Sequence, residues 1–312
     1  MNIPVSSVRA GIVSRMSAAM IGQARKTLHC PPLPRLDGRL ALVTGATGGI
    51  GAEIARGLAR RGAELILPCR SAERGRETLQ VLRAELGDSC RVHLVDLDLV
   101  DLASVAPAVT AIAGICGGRP IDIVVENAGV WPMRYAVSPQ GYEIAFGVNV
   151  LAHFDLRRRL LAADLLPSAR VIVLTGDIYM LQSECTPDYR WSGPIGGMLA
   201  YCRSKLGNLW IASELARRSP ELSVFAVHPG VVATNLGGAA GTLGNAIKRR
   251  LMISPAQGAQ IALICATQDG LPSGGYYHNT NGLMQLPAAD PALNHAAAQT
   301  LWDTCVTLSG HA

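Results

Sequence analysis

Tyr201 and Lys205 stand four residues apart in YCRSK, a spacing that puts a phenol and an ammonium on one face of a helix. A free tyrosine, with a pKa of about 10, is a poor base at neutral pH, and a neighbouring cation stabilises its phenolate and lowers that value. The pair can therefore give a proton to a carbonyl or take one from an alcohol. Upstream, VIVLTGDIYM (residues 171–180) reads as a buried strand that breaks at Thr175, Gly176 and Asp177.

A second group of residues points to phosphate. TGATGGIG (44–51) follows an apolar strand and opens a helix, so Gly45, Gly49 and Gly51 let the backbone turn and approach a pyrophosphate, which the helix N-terminus stabilises. The next strand ends Pro68-Cys69-Arg70-Ser71, with Arg74 a turn later. A carboxylate there would bind a ribose 2′-hydroxyl, whereas arginine suits a 2′-phosphate, so NADP(H) is expected rather than NAD. Eight cysteines fall in no CxxC or Cys/His ligand spacing, and no metal is expected.

The elements that must position these groups alternate from Leu40 onward. ALVTG, ELILPC, RVHLVDLD, DIVVENAG, RVIVLTG and SVFAVHPG read as strands separated by amphipathic segments, which implies an α/β, doubly wound parallel sheet covered on both faces. One domain is expected over 37–309. Residues 1–36 form an extension: Val5, Val8, Ile12, Met16, Ala19 or Met20, and Leu28 follow roughly one helical stripe over 5–28, and CPPLPRLDGR reads as a stiff linker. The helix could dock on the domain, lie in a membrane interface or act as a targeting segment. Since no cofactor motif lies there, its removal is expected to leave dinucleotide binding intact.

Composition narrows the partners. The net charge of +5 comes from Arg9, Arg15, Arg25, Lys26 and Arg35, all before the first acid, Asp37; the remainder carries 23 basic and 23 acidic residues. That balance argues against nucleic acid. No apolar run approaches the roughly 18 residues of a membrane span, and the cysteines read as reduced thiols of a cytoplasmic protein. Oligomeric state is not readable.

With TGATGGIG, ENAG (126–129), VNVLAHF (148–154), YCRSK (201–205) and HPGVVAT (228–234) in this order, the chain resembles the short-chain dehydrogenase/reductase family. PCRSAERG, GYEIAFGVNVLAHF, the long stretch between Thr175 and Tyr201, and SPAQGAQIALICAT are similar to its retinol dehydrogenase branch, to about residue 309. The resemblance implies a Rossmann fold with Gly45, Thr47, Gly49, Ile50, Gly51 and Arg70 on the cofactor. It further implies adenine contacts from Asp98 and Leu99, a wall of Asn127, Ala128 and Gly129, and Pro229, Gly230 and Thr234 near the nicotinamide. Asn149, Tyr201 and Lys205 match three members of the catalytic tetrad, with Asn149 expected to anchor a water. Two positions depart from the family: Glu126 stands for an asparagine, and Gly176 for the tetrad serine.

If Gly176 holds the serine's slot, strand alternation sends Thr175 to the other face unless a bulge shifts the phase. Thr175 is the expected replacement donor; a backbone N–H, no donor at all, Asp177, Tyr179 or Ser183 are the alternatives. The implied activity is NADP(H)-dependent interconversion of a carbonyl and an alcohol on an apolar small molecule, with residues 236–253 covering the site. The rival readings are a carbon-carbon double-bond reductase of the protochlorophyllide-reductase type and a non-catalytic NADPH-binding regulator.

Overall fold

The computed structural model describes residues 5–7, 23–87, 90–233 and 252–310. Among them are nine strands: β1 (Val5–Ser7), β2 (Leu40–Val43), β3 (Glu64–Cys69), β4 (Val92–Asp96), β5 (Ile123–Glu126), β6 (Arg170–Leu174), β7 (Ser223–His228), β8 (Gly275–His278) and β9 (Gly282–Gln285). They form one sheet in the order β1-β9-β8-β7-β6-β5-β2-β3-β4, parallel except for the β8–β9 pair. All six strands read from the sequence are present. Strands β2, β3 and β5 are buried along their whole length, which is why their sequences are apolar runs rather than alternations.

The helices are α1 (Gly49–Ala59), α2 (Ala72–Leu86), α3 (Val105–Cys116), α4 (Ala152–Ala162), α5 (Gly193–Arg218), α6 (Pro255–Thr267) and α7 (His295–Ser309). Helices α3, α4, α5 and α7 close one face through Ile112, Leu160, Leu209 and Leu301; α1, α2 and α6 close the other through Ile54, Leu82 and Ile261. In β2 the alternation is visible residue by residue, with Leu40 and Leu42 in the first core and Ala41 and Val43 in the second.

The N-terminal segment departs from the helix expected over 5–28. Val5–Ser7 is a strand in parallel register with Leu283–Gln285, and Gln23–Lys26 is a helical turn. The outer edge of β9 offers unpaired N–H and C=O groups, and β-branched Val5 with two serines has little helix preference to set against them. The intervening positions of the expected stripe lie outside the described residues. From Gln23 onward the segment is tied to the domain: Leu28 N–H donates to Asn279 O at 2.8 Å, and Cys30 N–H to Gln260 Oε1 at 2.9 Å. Among the described residues, no helix is long and apolar enough to cross a membrane.

Candidate active site

Strand order reverses between β2 and β5, and a cleft of about 490 Å³ opens at their C-terminal ends, where open parallel sheets bind ligands. Gly45 turns the chain there with φ +68°, and a Cβ on it would come within 2.8 Å of Asn127 Nδ2. Gly51 lies beneath, where a Cβ would collide with Gly45 O and Asn127 Nδ2. Helix α1 starts without a side-chain cap, so its first-turn N–H groups are available to an anion. Thr47, Gly49 and Ile50 line the same end. This cradle fits a pyrophosphate.

Thr44, which sequence reasoning passed over, fixes the neighbouring wall. Its hydroxyl accepts from Asn127 N–H and Ala128 N–H, both at 3.0 Å, while Asn127 Nδ2 donates to Thr44 O at 2.9 Å. His153 completes the joint, with Nε2 3.0 Å from the Thr44 hydroxyl and Nδ1 3.1 Å from Val148 O; burial holds its pKa down, leaving the neutral ring to accept from Thr44. The family departure at Glu126 also has a partner. Its carboxylate pairs, fully buried, with Arg157 of α4, so the acid is neutralised inside the core and does not reach the cleft.

At the adenosine end, Arg70, Arg74, Asp98 and Leu99 line the cleft. Ser71 caps α2 by accepting from Arg74 N–H, and the Arg74 guanidinium donates to Thr47 O at 3.1 Å, closing the phosphate end of the loop. Asp98 turns the chain by accepting from Val100 N–H at 3.0 Å.

At the other end, Tyr201 and Lys205 lie on α5 as the spacing predicts, and both line the cleft. Trp131 stacks on the Tyr201 ring, with centroids 4.9 Å apart and planes 6° from parallel. Lys205 Nζ sits 5.4 Å from the centre of the tyrosine ring and donates to Leu174 O at 2.9 Å. Burial pushes the Tyr201 hydroxyl up and the Lys205 ammonium down to about 8. The expected lowering of the phenol by the lysine is therefore absent from this arrangement: the ammonium lies under the ring and binds a strand carbonyl.

Asn149 is also turned away from its expected task. It stands in a π-helical turn (Gly147–Leu151), a form common at functional sites; its Oδ1 accepts from Val130 N–H at 2.7 Å, and its Nδ2 donates to Val130 O at 3.0 Å and to Ser204 Oγ at 2.8 Å. The amide thus braces the loop after Gly129. A Cβ on Gly129 would press on Asn149 Oδ1 at 3.2 Å.

The expected bulge after β6 does not form. The ladder runs regularly through Leu174 opposite Val227, and Thr175 N–H donates to Val227 O at 2.8 Å. Gly176 is extended, with φ −174°, so the phase is kept and Thr175 Oγ1 donates to Lys205 O at 2.7 Å. Thr175 borders the cleft with its hydroxyl already engaged by helix backbone. Asp177 is buried against Tyr276, whose hydroxyl it accepts, and Tyr179 is anchored to Asp290 at 2.9 Å. Ser183 is exposed. Pro229 lines the cleft, and Gly230 with φ +89° turns the chain below it; Thr234 lies outside the described residues.

Residues 39–243 match the family model for short chain dehydrogenases. The chain is 32% identical to retinol dehydrogenase 14 of Mus musculus, covering 98% of both chains, and 33% identical to retinol dehydrogenase 13 of Homo sapiens, covering 90% of this chain and 87% of that one. An uncharacterized protein from Mycobacterium paratuberculosis superposes with a TM-score of 0.71 at 29% identity, over 91% of this chain and 98% of the other. A blue fluorescent protein from a metagenomic library, solved in complex with NADPH, gives a TM-score of 0.63 at 25% identity over 80% of this chain and 98% of its own. With a doubly wound sheet, a glycine cradle at its switch point and a tyrosine and lysine facing that cradle, the chain belongs to the short-chain dehydrogenase family of oxidoreductases.

Proposed function

We propose that this protein is an NADP(H)-dependent oxidoreductase that interconverts a carbonyl and an alcohol on an apolar small molecule, with Tyr201 as the acid/base. The observation that carries the reading is the stacked, protonated Tyr201 at the open end of a cleft whose other end is a phosphate cradle. When bound, the dinucleotide supplies or accepts the hydride. Gly45, Gly49 and the start of α1 would hold its pyrophosphate, Arg70 and Arg74 a 2′-phosphate, and Asp98 and Leu99 the adenine. Arginines rather than an acid at the end of β3 support NADP(H), as does likeness to a protein solved with NADPH.

The chain's own groups favour carbonyl reduction. Tyr201, like any tyrosine, is protonated at neutral pH and burial pushes its hydroxyl further up, so it can donate to a substrate oxygen while Trp131 stacks on the ring. Lys205, 5.4 Å from the ring centre and bound to Leu174 O here, would have to release that carbonyl to stabilise the phenolate as the proton leaves. Exposed Met133, Tyr135 and Ile195 lie on two segments that pack together beside Trp131, through the Tyr135–Trp191 ring contact. These exposed apolar side chains, the first two on the segment that follows the cleft-lining Val130, would suit an apolar aldehyde or ketone such as the retinoids named for its relatives. The buried, unpaired thiols suit a reducing, cytoplasmic compartment.

One observation favours a second reading, an NADPH-binding regulator without turnover: no side-chain hydroxyl from the end of β6 is free to bind a substrate oxygen. Steady-state assays with NADPH and NADH against aldehyde, ketone and enone panels separate the two. Turnover of an apolar aldehyde or ketone, lost in Tyr201→Phe with NADPH affinity retained, is the expected result. Tight NADPH binding with no turnover of any panel would establish the regulator, and turnover confined to enones would establish a double-bond reductase.

A further inference from the structure

Three residues at the C-terminal ends of adjacent strands converge behind the active-site wall: Asp177 just after β6, His228 at the end of β7 and His278 at the end of β8. His228 and His278 are register partners with ring centroids 4.6 Å apart, and one ligand atom from each of the three residues lies within 4.8 Å of the others. All three are buried, with relative exposures of 7%, 6% and 1%. Neither nitrogen of His228 has a hydrogen-bond partner, a costly state for a buried ring. Among the described residues no arginine or lysine pairs with the Asp177 carboxylate, whose contacts are the Tyr276 hydroxyl and His278.

We infer that Asp177, His228 and His278 form a binding site for a divalent transition-metal cation of the zinc class, with one coordination position left open. Two imidazoles and a carboxylate suit zinc and its neighbours, whereas magnesium and calcium take oxygen ligands. His278 Nε2 is 3.2 Å from Asp177 Oδ2, yet it has no aligned hydrogen bond. Two ligands on a tetrahedral zinc, each about 2.0–2.1 Å from the metal, stand about 3.3 Å apart and point at a shared centre rather than at each other. His228, with no hydrogen bond to another described residue, supplies the third ligand atom, within 4.8 Å of the other two.

The surroundings fit the same assignment. The Asp177 carboxylate accepts from the Tyr276 hydroxyl through Oδ1, which leaves Oδ2 facing His278 Nε2 at 3.2 Å. Both His228 ring nitrogens are buried without a hydrogen-bond partner among the described residues, so the ring has a donor atom to offer. His278 Nδ1 lies 3.0 Å from Thr280 Oγ1 and 3.1 Å from Thr280 N. Nδ1 accepts from the Thr280 N–H, which fixes the ring with Nε2 toward Asp177. With metal on Nε2 the proton would sit on Nδ1, so the Thr280 N–H would have to turn aside and leave the Thr280 hydroxyl as acceptor, the kind of outer hydrogen bond that orients histidine ligands. A Cβ on Gly176 would lie 3.5 Å from His228 Nδ1, so the glycine in the serine's place leaves this approach clear. Glycine for serine and aspartate beside it then belong to a single departure from the family pattern. Sequence spacing gave no hint because the ligands come one from each of three strands.

The test is titration of chelator-treated full-length protein with cobalt(II), which reports ligand type by its visible spectrum, followed by zinc competition. One cobalt per chain with tetrahedral ligand-field bands, no thiolate charge-transfer band and a zinc-dependent rise in Tm is expected. His278→Gln and His228→Gln, shown to be folded by retained NADPH binding, should lose the bands. Absence of the bands and of the Tm rise in the wild type overturns the proposal, whatever the variants do. Bands that persist in both histidine variants, or an intense thiolate band from the cysteines, overturn it equally.

Discussion

Gly176 is where sequence logic and geometry part. Thr175 offered the right functional group one residue away, but its use required a bulge, and an extended Gly176 keeps the strand phase instead. Its hydroxyl then meets the Lys205 carbonyl, so Thr175→Val should lower stability by about 1 kcal/mol, the worth of a typical internal hydrogen bond, with kcat changed much less. Thermal melting beside kcat separates this from a catalytic role, in which kcat would collapse at unchanged Tm. Gly176→Ser tests the empty slot directly. The backbone there suits any residue and the new Cβ makes an ordinary contact with His228, so the variant should fold; because that Cβ points to His228 and Gly176 does not line the cleft, turnover should stay unchanged, and a gain on small carbonyls would show that the serine reaches the substrate. Loss of activity in a folded Gly176→Ser would mean that the space itself is needed. For the cofactor, both arginines read from the pattern, Arg70 and Arg74, line the cleft, and the Arg74 guanidinium reaches Thr47 O. Arg74→Ala should shrink the preference for NADPH over NADH, measured as a ratio of Kd values; an unchanged ratio would remove the arginine argument.

Elements were legible where one local pattern decided them. The apolar runs of β2, β3 and β5 cannot be solvent-exposed, and TGATGGIG at the end of β2 marks its turn by glycine spacing. Strands β1, β8 and β9, three or four residues each, carry too little pattern to stand apart from loops, and β1 is set by an edge more than 270 residues away in sequence. The Glu126–Arg157 pair was hidden for the same reason, since nothing in ENAG says that an arginine of α4 will meet it. A buried acid with long-range partners also gives β3 a pH-dependent anchor. Glu64 pairs with Arg119 at 2.9 Å, His93 at 2.8 Å and Arg91 at 3.6 Å, and the Arg119 bond chiefly holds its carboxyl at about 2 against an ordinary 4.5. A carboxyl lowered in the folded state stabilises above its unfolded pKa, and that stability is lost as pH falls from about 4.5 toward 2. All three partners are partly exposed, so screening leaves about 1 kcal/mol. Between pH 6 and pH 3 the wild type should lose more Tm than Glu64→Gln; parallel loss would assign the acid sensitivity to other groups.

At the scale of the whole molecule, the segment before the sheet changes meaning. Read from sequence it was a separable extension, because it carries no cofactor motif. In the fold, the buried Gln23 amide clasps Val231, two residues after the cleft-lining Pro229, from both sides: its Oε1 accepts from Val231 N–H at 3.0 Å and its Nε2 donates to Val231 O at 3.1 Å. Val231 follows the Pro229-Gly230 turn, where positive φ leaves the backbone dependent on outside bonds for its position. Removing residues 1–30 therefore strips β9 of its edge partner and frees the Pro229–Val231 wall, so the truncated chain should melt lower and bind NADPH more weakly. Gln23→Ala isolates the second effect, because it leaves β1 in place; losing two buried hydrogen bonds should cost about 1–3 kcal/mol and raise the NADPH Kd. If Gln23→Ala keeps the wild-type Kd while the truncation loses affinity, the strand edge holds the wall through the sheet. If neither change moves Kd, the clasp plays no part in cofactor binding and the segment is the separable extension that its sequence suggested.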